Sequence, residues 1–217
     1  MAWLLRHGAD VTSVDVYGAT PLYLACRNGF ARTILLLIDS GADATRVHAN
    51  GRSALHAVVE GREAAWRTRT DVLGIALRFV DANCRDNHGA TPLLVATTSA
   101  NTMAMHKLVL SGADINTADA DGTSPALAAA ANSDLAALAL LHRAGCTFAP
   151  SRPSGLRTIA HVAAKSHDST TVFQWMESNG FGALLDAFDS EGLTPAHIAA
   201  AEGHRQASEW LTEHGFA

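Results

Sequence analysis

Residues 15–43 read DVYGATPLYLACRNGFARTILLLIDSGAD, and each part of that stretch has a local physical role. Gly18 stands where a tight turn needs positive φ, which glycine adopts without a Cβ clash. Thr20 is placed to cap a helix with its hydroxyl, and Pro21 suits the first helical position. Leu22, Ala25 and Cys26 fall at i, i+3 and i+4, an apolar stripe on a short helix that Gly29 stops. A second apolar run, Ile34 to Ile38, predicts another helix, with Gly41 placed to end it in the left-handed conformation. The unit is turn, helix, turn, helix. It is too small to bury both of its faces alone.

The unit recurs. The position held by Pro21 falls again at Ala54, Pro92, Pro125, Ile159 and Pro195, at intervals of 33, 38, 33, 34 and 36 residues. A period of about 33 with a T-P-L-H-x-A core is the ankyrin signature. The chain resembles the ankyrin-repeat family along essentially all of its 217 residues. The resemblance implies an all-α ankyrin-repeat solenoid, helix-turn-helix units joined by hairpin-like loops and stacked in a single domain, 1–217. The expected boundaries are a partial repeat 1–14, then repeats 15–47, 48–85, 86–118, 119–148 and 149–188, and a polar capping repeat 189–217.

The repeats are not equally regular. In repeat two Ala54 replaces the proline, and about five extra residues lie around Glu60 to Thr70, bringing Arg62, Trp66, Arg67 and Arg69. Phe79 stands where repeat one has Gly41, so the second helix there must end differently. Repeat five keeps only the register, Thr158-Ile159-Ala160-His161, after an irregular lead-in with Pro150, Pro153 and Gly155. These two repeats are expected to exchange amide hydrogens first, because repeat stabilities are roughly additive.

Composition narrows the function classes. Hydrophobic residues make up 48% and charged residues 17%, which argues against disorder. No apolar run approaches the roughly 18 residues that span a bilayer, so no membrane insertion is expected. Met1 to Thr12 reads as the tail of a repeat rather than a signal peptide, since Gly8-Ala9-Asp10 matches Gly41-Ala42-Asp43. Three cysteines, Cys26, Cys84 and Cys146, with no C-x-x-C pair point to free thiols in a reducing compartment. An intracellular, cytoplasmic monomer is the expectation. Net charge is +2 over residues 1–85 and −7 over 86–217. That acidic second half argues against nucleic acid as a partner and for a basic or polar protein surface.

Catalytic and metal motifs are missing. There is no G-x-S-x-G, P-loop, G-x-G-x-x-G or H-E-x-x-H. Cys26 matches a packed alanine of the family pattern, and Asp43, Asp114, Asp119 and Asp189 sit at corners where turn roles explain them. His56, His161 and His197 all occupy the histidine of T-P-L-H. In the family that residue hydrogen-bonds near the start of the first helix and links neighbouring repeats. Equivalent side chains in a stack stand about 8–10 Å apart, too far to share a zinc ion at about 2 Å from each ligand. Leu108 with Asp114-Ile115-Asn116 resembles a pattern hydroxylated in some ankyrin domains, though Asn116 also suits a hairpin turn. No enzyme, cofactor or metal site is expected.

The resemblance instead implies non-covalent protein binding, as an adaptor, scaffold or targeting module. Family contacts concentrate on hairpin tips and on the exposed face of the first helices, which form a concave surface. Carried onto matching positions, this names Val16, Tyr17, Arg27 and Asn28, then Asn50, Arg52 and Glu60. It further names Asn87, His88, Thr98 and Ser99, then Asp121, Asn132 and Glu191. Trp66, in the insertion, is a separate candidate contact, since Trp and Arg are enriched in binding hot spots. The alternatives are a regulatory segment of a larger channel, acyltransferase or signalling enzyme, and, last, an enzyme in its own right.

Overall fold

A computed structural model describes residues 2–60, 70–148 and 156–216, and its described residues are helices, turns and loops with no paired strand. The chain divides into two compact units, Met1–Asp114 and Ile115–Ala217. The insertion candidates Arg62, Trp66, Arg67 and Arg69, and the lead-in residues Pro150, Pro153 and Gly155, lie outside the described residues.

The first unit holds α1 (Ala2–Arg6), α2 (Pro21–Asn28), α3 (Ala31–Asp39), α4 (Ala54–Val59), α5 (Thr70–Ala76), α6 (Pro92–Thr98) and α7 (Thr102–Leu110). First helices pack on first helices, α2 on α4 and α4 on α6, while α3, α5 and α7 each pack on the first helix of their own repeat. The stripe read from the sequence is the buried one: Leu22, Ala25 and Cys26 in α2, and Ile34 and Leu37 in α3. The second unit repeats this plan with α8 (Pro125–Ala131), α9 (Leu135–Arg143), α10 (Ile159–Ala163), α11 (Ser169–Ser178), α12 (Pro195–Ala201) and α13 (Arg205–Glu213). There α8, α10 and α12 form one row and α9, α11 and α13 the other. In α8 the alanines 126 and 128–130 are all buried, so the row is built from small side chains.

Caps define the boundaries. The Thr20 hydroxyl accepts the Tyr23 N–H at 3.1 Å, and Thr91 and Ser124 do the same for Leu94 and Leu127 at 3.3 Å. Four first helices then end on a left-handed residue, Gly29 in repeat one and Gly203 in repeat six, but Ala100 (φ 52°) and Ser133 (φ 51°) in repeats three and four. Second helices end through a bond that spans five residues, Ala42 N–H to Leu37 C=O at 2.9 Å and Ala113 to Leu108 at 3.0 Å. Gly41 and Gly112 supply the positive φ this needs. Repeat two does end differently: with Phe79 in the glycine position, Val80 N–H reaches back only four residues, to Ala76 C=O at 3.0 Å.

Candidate interaction surface

Four repeats open with a hairpin-like turn closed by one aspartate. Asp15 Oδ1 accepts the N–H groups of Tyr17 and Ala19, both at 2.9 Å. Asp86 serves His88 and Ala90, Asp119 serves Asp121 and Thr123, and Asp189 serves Glu191 and Leu193 in the same way. Repeat two has His48 in that position. There Asn50 Oδ1 takes over, accepting the Arg52 N–H at 3.1 Å and pairing with His48 Nδ1 at 2.7 Å. His48 also stacks on Tyr23, ring centroids 4.9 Å apart.

In the first unit the tips are tied to one another. Asn87 N–H donates to Asn50 C=O at 3.0 Å, and Asn87 Nδ2 donates to Ala49 C=O at 3.2 Å. A Cβ built on Gly51 would stand 2.2 Å from Asn87 Oδ1, and one on Gly18 would stand 3.1 Å from the Ala49 Cβ. Glycine is required at position 51 for closeness as well as for its φ of 78°.

The expected contact residues sort into two groups on this frame. Val16 is 92% exposed and Tyr17 72% exposed. Arg27 and Asn28 at the end of α2, Asn87 and His88 at the third tip, and Thr98 and Ser99 at the end of α6 are exposed as well. Asp121, Asn132 and Glu191 are exposed in the second unit. Asn50, Arg52 and Glu60, expected as exposed contacts, are instead half-buried. Asn50 closes its own turn. Arg52 pairs with Glu60 through Nη1 and places Nε 3.3 Å from Asp86 Oδ2, so both charges are already engaged within the protein. The physical reason is position: Arg52 directly precedes the Ser53 cap, where a long side chain reaches the next hairpin.

The Asp86 side chain is 1% exposed. Burial alone would raise its pKa, but the N–H groups of Ala90 and His88 and the Arg52 guanidinium outweigh it and hold the carboxyl below its usual range. Arg157 repeats the arrangement in the second unit, 3.8 Å from both Asp189 and Glu191. This clamp was not foreseen. Its sequence signal is an arginine just before a proline-less cap, in Arg52-Ser53-Ala54-Leu55-His56 and Arg157-Thr158-Ile159-Ala160-His161.

Two of the three T-P-L-H histidines link repeats as the resemblance implied. His56 Nδ1 accepts the Ser53 N–H at 3.2 Å and its Nε2 donates to Ala90 C=O at 3.0 Å. His161 does the same with Thr158 and Leu193, at 3.2 and 3.0 Å. His197 caps Thr194 but is exposed. Burial pushes the Cys26 thiol up to about 12, and Cys84 and Cys146 are raised by burial too, so all three thiols are held in the unreactive form. Asn116 Oδ1 accepts the Thr147 N–H at 3.3 Å, and Asn83 Oδ1 accepts that of Asp114 at 2.7 Å, so both asparagines tie successive corners together. Among the described residues no three His, Cys, Asp or Glu side chains are grouped to hold a metal ion, and no helix is long and apolar enough to cross a membrane.

Residues 1–67 match a family model described as ankyrin repeats (3 copies). Across 98% of its length the chain is 25% identical to the human transient receptor potential cation channel subfamily A member 1. Over about half its length it is 33% identical to the Drosophila melanogaster neurogenic locus Notch protein, and 29% identical to the mouse protein fem-1 homolog A-like. The chain spans 16%, 4% and 15% of those three relatives. The model that matches residues 1–67, the six-fold recurrence of the helix pair and the aspartate-closed hairpins give the described residues an ankyrin-repeat fold and make the chain similar to the ankyrin-repeat family.

Proposed function

We propose that the chain is a non-catalytic protein-binding module, an adaptor, scaffold or targeting element. In this reading it engages its partner through the hairpin tips and first-helix ends. Ankyrin repeats are in general protein-interaction modules, and the family supports the class of function. One observation carries the placement: Val16 and Tyr17 are held in solvent on a turn locked by Asp15, beside the tied tips that carry Asn87 and His88. Leaving a large aromatic and a β-branched side chain in water on a rigid support forgoes burial, and it preorganises them for a partner. Arg52 and Glu60 serve this surface as its supports. Trp66 stays a separate candidate contact.

The test is a comparative affinity capture from cell extract, with Tyr17→Ala/His88→Ala set against the parent chain after equal folding is confirmed by circular dichroism. Partners lost with the double variant support the tip surface. Partners retained equally would move the contact to Trp66 or to the second helices.

A second reading, a regulatory ankyrin segment of a larger protein, is favoured by the similarity to a cation channel subunit across 98% of this chain. It differs in one outcome: the chain would then bind another part of the same polypeptide, detectable with the full-length native protein.

A further inference from the structure

The two buried histidines sit at joints between repeats in an arrangement that tolerates one protonation state. Both rings are 0% exposed. Each Nδ1 faces a backbone N–H that only donates, Ser53 at 3.2 Å or Thr158 at 3.2 Å, so Nδ1 must be an acceptor. Each also faces a hydroxyl, Ser53 Oγ at 2.9 Å or Thr158 Oγ1 at 2.8 Å. The ring proton is therefore on Nε2, which donates across the joint to Ala90 or Leu193. A second proton would set N–H against N–H at the helix cap, in a site closed to water. The ring can accept it by leaving, and leaving breaks the bond across the joint.

We propose that His56 and His161 make these two joints acid-sensitive. Protonation of His56 opens the contact between repeats two and three, and protonation of His161 opens that between repeats five and six. Joints that lack such a bridge stay closed. The inference is independent of whether the tips bind a partner, but Ala90 lies two residues from His88, so the first of these joints carries that tip.

The surroundings agree. The groups facing His56 are Arg52 ahead of its helix, Cys84 with Sγ 3.8 Å from Nδ1, and Asp86 on the next hairpin. From the other side α2 turns Tyr23 towards His48 and Arg52, α6 carries no titratable side chain, and the described side chains of α5 are apolar. Around His161 stand Arg157 and Asp189; α8 has no titratable group, α11 has Glu177 and α12 has His197, both exposed. Burial is the leading influence on both rings and lowers their pKa, while the carbonyl bond and the nearby aspartate pull the other way. The sign follows: the unfolded chain takes up protons near 6.5 that the folded rings refuse. The stability these rings supply is full above that pH and is lost as pH falls through their lower folded values. The aspartates lose their charge only below 3.8, which separates the two effects.

The experiment follows the histidine rings and backbone amides of the parent chain by two-dimensional NMR from pH 7.5 to 4.5. We expect His56 and His161 to hold the Nε2–H form to a lower pH than the ordinary 6.5 of a free histidine. When they change, the amides of Ser53 and Ala90, or of Thr158 and Leu193, should shift together with them. Rings that titrate near 6.5 with those amides undisturbed would overturn the proposal. Urea unfolding of His56→Asn, His161→Asn and His197→Asn at pH 7 and pH 5 gives a second readout. The folding constant of the parent should fall between pH 7 and pH 5, by at most roughly 25-fold per buried histidine. The first two variants should each lose their share of that fall, and His197→Asn, whose exposed ring bridges nothing among the described residues, should keep it. An equal pH response in all three variants would contradict the proposal. If either buried variant fails to fold at pH 7, the ring titration of the parent chain decides alone.

Discussion

The N–H of Asn87 donates to the carbonyl of Asn50 at 3.0 Å, and with the Asn87 side-chain bond to Ala49 this holds the tips of two successive repeats against each other. It depends on the absence of a side chain at Gly51. Replacing Gly51 by alanine would bring a Cβ to 2.7 Å from the Asn87 backbone nitrogen and 2.2 Å from its Oδ1. Gly192, in the equivalent turn of the last repeat, also has positive φ but nothing within 4 Å of a built Cβ. Gly192→Ala should therefore cost about 1–2 kcal/mol from backbone strain alone, and Gly51→Ala distinctly more. Urea denaturation of the two variants measures the difference; equal losses would mean that the tip contact contributes nothing.

The left-handed ends of α6 and α8 store removable strain. Ala100 and Ser133 hold φ near 50° where repeats one and six use Gly29 and Gly203. Ala100→Gly should stabilise the chain by about 0.5–1 kcal/mol after glycine's greater unfolded entropy is subtracted. A thermal midpoint that falls in this variant would contradict the assignment of strain.

Asp86 gives the acid limb of the stability profile. Its folded pKa is depressed, so its contribution is present above the unfolded value of 3.8 and is lost as pH falls below it. Asp86→Asn should cost about 1–3 kcal/mol at pH 7, since it replaces a charged acceptor of two N–H groups and leaves Arg52 with Glu60 as its remaining carboxylate partner. It should also flatten the profile between pH 4 and 3. A variant as acid-sensitive there as the parent would place that limb elsewhere.

In the second unit Phe148 is the hinge of an aromatic cluster. It is 2% exposed, and its ring centroid lies 4.8 Å from Phe181, 5.8 Å from Trp175 and 6.2 Å from His142. Phe148→Ala should cost about 3–5 kcal/mol. Because Trp175 is its neighbour, the loss should appear in tryptophan fluorescence before the transition as well as in the midpoint. An unchanged spectrum would show that the rings do not pack.

The helical frame was legible because its rules are local: a threonine cap, a proline at the first position and a glycine at the end each announce themselves within a few residues. The clamps were harder to read. Arg52 and Asp86 are 34 residues apart, and nothing near either one reveals the other; the signal appears only when repeats two and five are aligned and both show arginine before a proline-less cap. For that reason Arg52 and Glu60 read as exposed contacts, whereas their charges are paired within the protein. The aromatic cluster was likewise hidden, since His142, Phe148, Trp175 and Phe181 come from three segments with no common spacing.

The most direct test of the tip surface is hydrogen exchange of the chain with and without a captured protein partner. Slowed exchange is expected in the turns 15–19, 48–52 and 86–90 and at the ends of α2 and α6, with the second helices α3 and α7 unchanged. Protection confined to α3 and α7, with the three turns exchanging as in the free chain, would contradict it.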